Sequence, residues 1–113
     1  MAVIELFTGS ATITNTEYSL PNASTTLTPR TDDFLGEVWI DVAAVTIADN
    51  FVITVKEKAT SAGTQRVVWR TDAGGTEELI VIPALTLIHG WDVTMQRTAG
   101  SSRAISWSFR SVL

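Results

Sequence analysis

The sequence predicts an all-β protein, either a single antiparallel β-sandwich or a jelly-roll-like barrel of about eight short strands. Three observations support this prediction. Short runs of alternating apolar and polar residues recur along the chain, turn-forming residues interrupt them about every ten residues, and no segment has the period of a convincing helix. Threonine and serine are abundant and lysine is rare, which suits the pleated surface of strands.

The most regular alternation lies in the last fifth of the chain. From Gly90 to Arg110, two runs flank a stretch of small residues at positions 98–102. The apolar side chains of each run share one face, and they are Trp91, Val93 and Met95 in the first run and Ile105, Trp107 and Phe109 in the second. The pattern predicts a β-hairpin whose apolar face, with two tryptophans, supplies a large part of the core.

The first third of the chain has weaker patterns. Residues 3–7 (VIELF) indicate either a short strand or part of an ordered docking arm at residues 1–8. Ala11 to Leu20 alternates imperfectly, and Ser24 to Thr28 is a brief strand candidate that ends at Pro29. Phe34 to Val42 is the clearest early strand, with Phe34, Val38, Ile40 and Val42 on one face and Glu37, Trp39 and Asp41 on the other.

The middle of the chain predicts four further strands. Phe51 to Lys58 and Gln65 to Arg70 alternate on either side of a hairpin loop at Ala59 to Gly63. Leu79 to Ile82 and Ala84 to Ile88 are continuous apolar runs separated by Pro83. Such runs are typical of strands that are buried on both faces.

Length and composition limit the possible functions. The 113 residues indicate one domain that spans residues 1–113. The chain has no cysteine, which excludes disulfides, thiolate metal sites and cysteine nucleophiles. The formal net charge is −4 with no basic stripe, so we expect neither nucleic acid nor an anionic membrane surface as a partner. The apolar start is short and contains Glu5, so we expect synthesis in a cytoplasm without a secretory signal.

Candidate catalytic and metal-binding residues are few. His89 is the only histidine, and Asp92 would be the carboxylate to orient it as a general base. A structural histidine in a turn is the preferred interpretation, because no motif presents a nucleophile. The neighbouring pairs Asp32-Asp33 and Glu77-Glu78 favour solvated turns over catalysis, and no loop pattern supports calcium at Asp32, Asp33 or Asp72. We therefore expect no enzyme activity, no cofactor and no metal.

The tryptophans suggest a contact surface. Trp39, Trp69 or Trp91 would form a platform for sugar rings if exposed, whereas Trp91 and Trp107 fit the core face. Trp39 lies on the polar face of its strand and is assigned to an interface. The apolar ends of the chain are the other candidate contacts, so the full predicted interface is Val3, Ile4, Leu6, Phe7, Trp39, Val112 and Leu113.

Most of the chain, from about Thr8 to Arg110, resembles small, generally unannotated proteins of tailed bacteriophages and prophages. The resemblance is carried by the segments TGSATITNTEYSL, TDDFLGEVWIDVAAV, VKEKATSAGTQRVVWR and HGWDVTMQRTAGSSRAISWSFR. It implies a virion component made in the host bacterial cytoplasm, most simply a capsid decoration or head-associated subunit. The implied partners are the major capsid protein or other virion proteins, and a homo-oligomer, preferably a trimer, would fit a capsid axis. The alternative is a glycan-binding module of a tail or tail fibre.

Overall fold

The computed structural model describes residues 2–112, which form eight strands and no helix. No segment of residues 2–112 is therefore a helix long and apolar enough to cross a membrane. The strands are β1 (Val3–Ile13), β2 (Tyr18–Ser19), β3 (Phe34–Asp41), β4 (Asn50–Glu57), β5 (Arg66–Ala73), β6 (Leu79–Leu87), β7 (Asp92–Ala99) and β8 (Arg103–Val112).

The strands form two four-stranded antiparallel sheets that pack face to face. The first sheet has the order β1-β8-β3-β6 and the second has the order β2-β7-β4-β5. Consecutive strands alternate between the sheets except at the β4–β5 hairpin, which gives the connectivity of a jelly roll. The predicted fold class is therefore confirmed.

The core consists of the inward-facing half of each alternation. Successive residues of a strand point to opposite faces, so a period of two buries one apolar stripe per strand between the sheets. Phe34, Trp91 and Phe109 form the aromatic centre, with ring centroids 5.5–6.4 Å apart. The indole N–H of Trp91 donates to the carbonyl oxygen of Asp32 at 2.7 Å, so its one polar atom is satisfied inside the core.

The predicted hairpin between Trp91 and Arg110 is wrong. β7 lies in the second sheet beside β4, whereas β8 lies in the first sheet between β1 and β3. The turn at residues 100–102 crosses from one sheet to the other. The two apolar faces therefore meet across the core instead of lying side by side. Alternation shows which side chains share a face, but it does not identify the neighbouring strand.

The structure decides one open alternative and corrects two other predicted elements. Residues 3–8, for which the sequence left a strand and a docking arm open, belong to β1 and pair with β8. The two apolar runs around Pro83 form one bulged strand, β6, and it is an exposed edge strand instead of a strand buried on both faces. The Ser24 to Thr28 candidate is not a strand, and only Ser24 forms an isolated bridge, with Ser19.

Candidate functional site

The solvent-facing side of the first sheet contains the predicted interface residue Trp39. β3 pairs with β8 there, so residues far apart in the sequence become neighbours. Three rows of outward side chains cross the sheet, and each row joins residues that are opposite each other on neighbouring strands. The first row is Glu5, Arg110 and Glu37, the second is Thr8, Ser108, Trp39 and Val81, and the third is Ser10, Ser106, Asp41 and Leu79. We call the surface formed by these residues the Trp39 face.

Trp39 and Arg110 form the centre of this face. The guanidinium carbon of Arg110 lies 4.3 Å from the centroid of the Trp39 ring, which is a cation–π contact. The indole N–H donates to Glu37 Oε1 at 3.0 Å, and Arg110 Nε donates to Ser108 Oγ at 3.2 Å. Ser108 in turn donates to the carboxylate of Glu5. These contacts fix both large side chains before any partner arrives.

Two shallow depressions border the Trp39–Arg110 stack. One has a volume of about 250 Å³, and its lining includes Trp39, Asp41, Leu79, Ser106, Ser108 and Arg110. The other has a volume of about 380 Å³ and is lined by Val3, Leu35, Gly36, Glu37, Ala84 and Arg110. Because Arg110 lines both depressions, the stack forms a ridge between them. Leu79, Val81, Leu35 and Val3 add exposed apolar surface around this ridge.

The predicted contact residues of the first strand do not all face solvent. Val3 is 66% exposed and lines the larger depression, and Leu6 is 42% exposed at a bulge of β1. Ile4 is half-buried. Phe7 turns inwards, where its ring meets the ring of Phe109 at 5.6 Å and lies under the guanidinium of Arg30 at 4.4 Å. Phe7 therefore belongs mainly to the core, and its assignment to the interface is wrong, because Phe7 points to the inner side of β1 after the bulge between Glu5 and Phe7.

Val112 and Leu113 are the two C-terminal residues of the predicted interface. Leu113 and the side chain of Val112 lie outside the described residues. Three of the seven predicted interface residues, Val3, Leu6 and Trp39, therefore lie on the described surface. Val3 lines the larger depression and Trp39 lines the smaller one, and Arg110 lines both.

The hypothetical pair of His89 and Asp92 does not form. The Asp92 carboxylate accepts hydrogen bonds from Ser19 Oγ at 2.7 Å and from the backbone N–H of Val93 at 2.8 Å. His89 is half-buried in the turn before β7, and its backbone N–H donates to Glu57 at 2.9 Å. The structural interpretation of His89 agrees with this geometry.

A polar cluster that the sequence did not indicate covers the outer side of the second sheet. Asp92 and Thr94 alternate with the apolar residues of β7 and so lie on its polar side, but their side chains are buried. Glu17 reaches this cluster from the β1–β2 loop, where it accepts hydrogen bonds from Thr94 at 2.5 Å and from Lys56 at 2.7 Å. The alternation correctly placed these side chains on the outer side, but the loop that covers them comes from another part of the sequence.

The two carboxylates of this cluster have opposite pKa shifts. Burial raises the pKa of Asp92 above 3.8, and the hydrogen bonds from Ser19 and Val93 only partly oppose it. Burial also disfavours the charge of Glu17, but the contacts with Lys56 and Thr94 outweigh it and lower the pKa of Glu17 below 4.5. The cluster attaches the β1–β2 loop to the second sheet.

Metal-ligating groups do not converge in the described part of the chain. Residues 2–112 contain no group of three or more histidine, aspartate or glutamate side chains arranged to hold a metal. Of the calcium candidates, Asp32 pairs with Arg30 at 2.9 Å, and Asp72 lies 3.9 Å from Arg70. Both aspartate side chains therefore lie next to an arginine side chain.

Comparisons with known proteins show a shared fold. No family model matches the chain, and no curated relative matches it. Among solved structures, a mitogen from Yersinia pseudotuberculosis matches 99% of this chain and 86% of its own with a TM-score of 0.57 and 10% identity. The protein PirA matches 92% of this chain and 93% of its own with a TM-score of 0.54 and 15% identity. At these identities the likeness extends to the fold and to nothing beyond it.

Proposed function

We propose that this chain is a structural protein of a bacteriophage virion that acts by binding, with the Trp39 face as the surface that attaches it to the shell. The virion assignment rests on the resemblance of four segments between Thr8 and Arg110 to small phage proteins. The attachment surface rests on the structure. Its partner would be the major capsid protein or another virion protein.

The observation that carries this proposal is the Trp39–Arg110 stack. Tryptophan and arginine, together with tyrosine, are the residues most enriched at the energetic centres of protein interfaces, where surrounding contacts exclude water. Trp39 and Arg110 lie together on the sheet surface, and Glu5, Asp41 and Ser106 lie in the rows around them. Because the stack is already ordered, a partner would bind it with a small loss of side-chain entropy.

Glycan binding is the second candidate, and one feature of the site favours it. The smaller depression combines an aromatic ring with the carboxylate of Asp41 and the hydroxyls of Ser106 and Ser108, which are groups that recognise sugars. However, the guanidinium of Arg110 covers one face of the Trp39 ring. A sugar ring would have to use the other face or displace Arg110, so the protein interface is preferred.

Immunogold electron microscopy of virions tests the proposal. Label over the heads is the expected result. The absence of label from purified particles would contradict the virion assignment. Label confined to the tail tip, together with glycan binding that Trp39→Ala abolishes, would replace the first candidate with the second.

Co-sedimentation with particles that lack this protein tests the surface. We expect Trp39→Ala to weaken attachment about 30-fold or more, since loss of an interface hot spot costs about 2 kcal/mol or more. Arg110→Lys keeps the charge but loses the planar stack, so it should weaken attachment by a smaller factor. Ile47→Ala is the control, because Ile47 is 85% exposed in the β3–β4 loop and lies outside the Trp39 face. Equal attachment of all three variants would exclude the Trp39 face.

A further inference from the structure

We propose that a second copy of this chain pairs with the free edge of β5, so that the second sheets of two molecules join into one antiparallel sheet. β5 is the last strand in the order β2-β7-β4-β5. An edge strand leaves a row of backbone N–H and C=O groups available to another strand. This inference does not depend on the virion assignment or on the Trp39 face, which lies on the other sheet.

The regular part of this edge runs from Trp69 to Ala73. These residues pair in continuous register with Val55 to Phe51 of β4, and the bulge of β5 lies before them at Val68. Within residues 2–112, no other backbone segment bonds to this side of residues 69–73. The edge of β6, by contrast, is interrupted by Pro83, which has no N–H to donate.

Charge selects one register for the pairing. Arg70 and Asp72 pair with Thr54 and Val52 of β4, so both side chains are on the outer side of the sheet. Both are more than half exposed, at 61% for Arg70 and 53% for Asp72. A two-fold axis at Thr71 places Arg70 of each copy opposite Asp72 of the other. An axis at Arg70 or at Asp72 would instead place two like charges opposite each other.

The inner side of the same register is complementary in size. Trp69 and Ala73 face the core side, because they pair with Val55 and Phe51. The axis at Thr71 places Trp69 of each copy opposite Ala73 of the other. Trp69 is 38% exposed in the single chain, so pairing would remove part of its apolar surface from water. Ala73 is already buried in its own chain and adds no bulk opposite Trp69. The segment thus supplies matched charges on its outer side and an exposed aromatic edge on its inner side.

A cysteine substitution tests the axis directly, since the chain has no cysteine of its own. In the proposed dimer the two Thr71 residues are opposite each other, within the Cα separation that a disulfide requires. We expect Thr71→Cys to form a covalent dimer under mild oxidation. Val67→Cys is the matched control, because in this register the two Val67 residues lie roughly 27 Å apart along the strands. No covalent dimer with Thr71→Cys, or equal cross-linking of both variants, would overturn the proposal.

Charge reversal tests the register by a second measurement, the molar mass in solution. We expect the unsubstituted protein to be a dimer, in place of the trimer that the phage resemblance favours. R70D or D72R alone should raise its dissociation constant about tenfold or more, because each reversal acts twice across the axis. The double variant R70D/D72R should restore the dimer. R66D, on the same strand but outside the paired segment, should leave it unchanged. A monomer or a trimer of the unsubstituted protein, or single reversals without effect, would overturn the proposal.

Discussion

At the scale of single residues, Ala84, which lines the larger depression beside the Trp39 face, has an unfavourable backbone conformation. Its φ is 57°, a left-handed value that residues with a side chain rarely adopt. The cause is the bulge of β6, where Pro83 and Ala84 together face only Glu37 of β3. Ala84 is exposed and lines the larger depression, so a substitution that relieves its backbone strain would not disturb the packing of the core.

Ala84→Gly is therefore expected to stabilise the protein. Relief of the left-handed strain, worth about 1 kcal/mol or more, should exceed the extra entropy that glycine gives the unfolded chain, with a net gain of about 0.5 kcal/mol. Urea unfolding measures this change. Ala104→Gly is the control, since exposed Ala104 lies in β8 at an ordinary φ, and there glycine should cost about 0.5–1 kcal/mol. A loss of stability in both variants would contradict the expected relief.

At the scale of elements, Gly36 allows β3 and β8 to approach each other. A Cβ at this position would overlap the carbonyl oxygen of Arg110 on β8, which is backbone and cannot rotate away. We expect Gly36→Ala to push the strands apart, to lower the free energy of unfolding by roughly 1–3 kcal/mol and to displace Arg110 from Trp39. Urea unfolding measures the first effect, and tryptophan fluorescence reports the second.

Gly74→Ala is the matched control for this substitution. A Cβ at Gly74 would have Asn50 Oδ1 as its nearest neighbour, at an ordinary contact distance of 3.9 Å. It should therefore change stability little. If Gly36→Ala were as stable as Gly74→Ala, close approach of β3 and β8 would not be the role of Gly36.

The faces of the strands could be predicted from the sequence, whereas the partners of the strands could not. Alternation correctly placed Trp91 and Trp107 in the core and Trp39 on the outer side, because a period of two separates the faces of any strand. It could not predict the partner of β7, since two apolar faces pack as well across a sandwich as within a hairpin. For the same reason it missed the contact of Arg110 with Trp39, which depends on the pairing of β3 with β8.

At the scale of the whole molecule, two buried aspartates act on acid stability in opposite directions. Asp49 accepts hydrogen bonds from Thr46 N at 2.9 Å, Ser101 N at 2.9 Å and Arg103 Nε at 2.7 Å, so it connects the β3–β4 loop to the turn before β8. The bond from Arg103 contributes most to holding the pKa of Asp49 well below its ordinary value of 3.8. Asp92 is the first residue of β7 in the second sheet, and burial raises its pKa.

These directions of the pKa shifts determine whether replacing each aspartate with asparagine raises or lowers the stability of the fold. The Asp49 carboxylate stabilises the fold above pH 3.8, and this contribution is lost as the pH falls through the lowered pKa of the folded state. Asp49→Asn should therefore lower the Tm at pH 7, and the deficit should shrink towards pH 2. For Asp92, folding favours the protonated form, so its stabilising effect is present below pH 3.8 and is lost as the pH rises through the raised pKa.

Asp92→Asn should consequently raise the Tm at pH 7 by a few degrees. The amide oxygen of asparagine can still accept the hydrogen bonds from Ser19 and Val93, while the cost of burying a charge is removed. The gain should vanish below pH 3.8, where the carboxyl group is protonated in both the folded and the unfolded chain. Thermal unfolding of both variants between pH 2 and pH 8 checks the pair. A lower Tm for Asp92→Asn at pH 7 would mean that attraction between Asp92 and Lys56 outweighs the desolvation of Asp92.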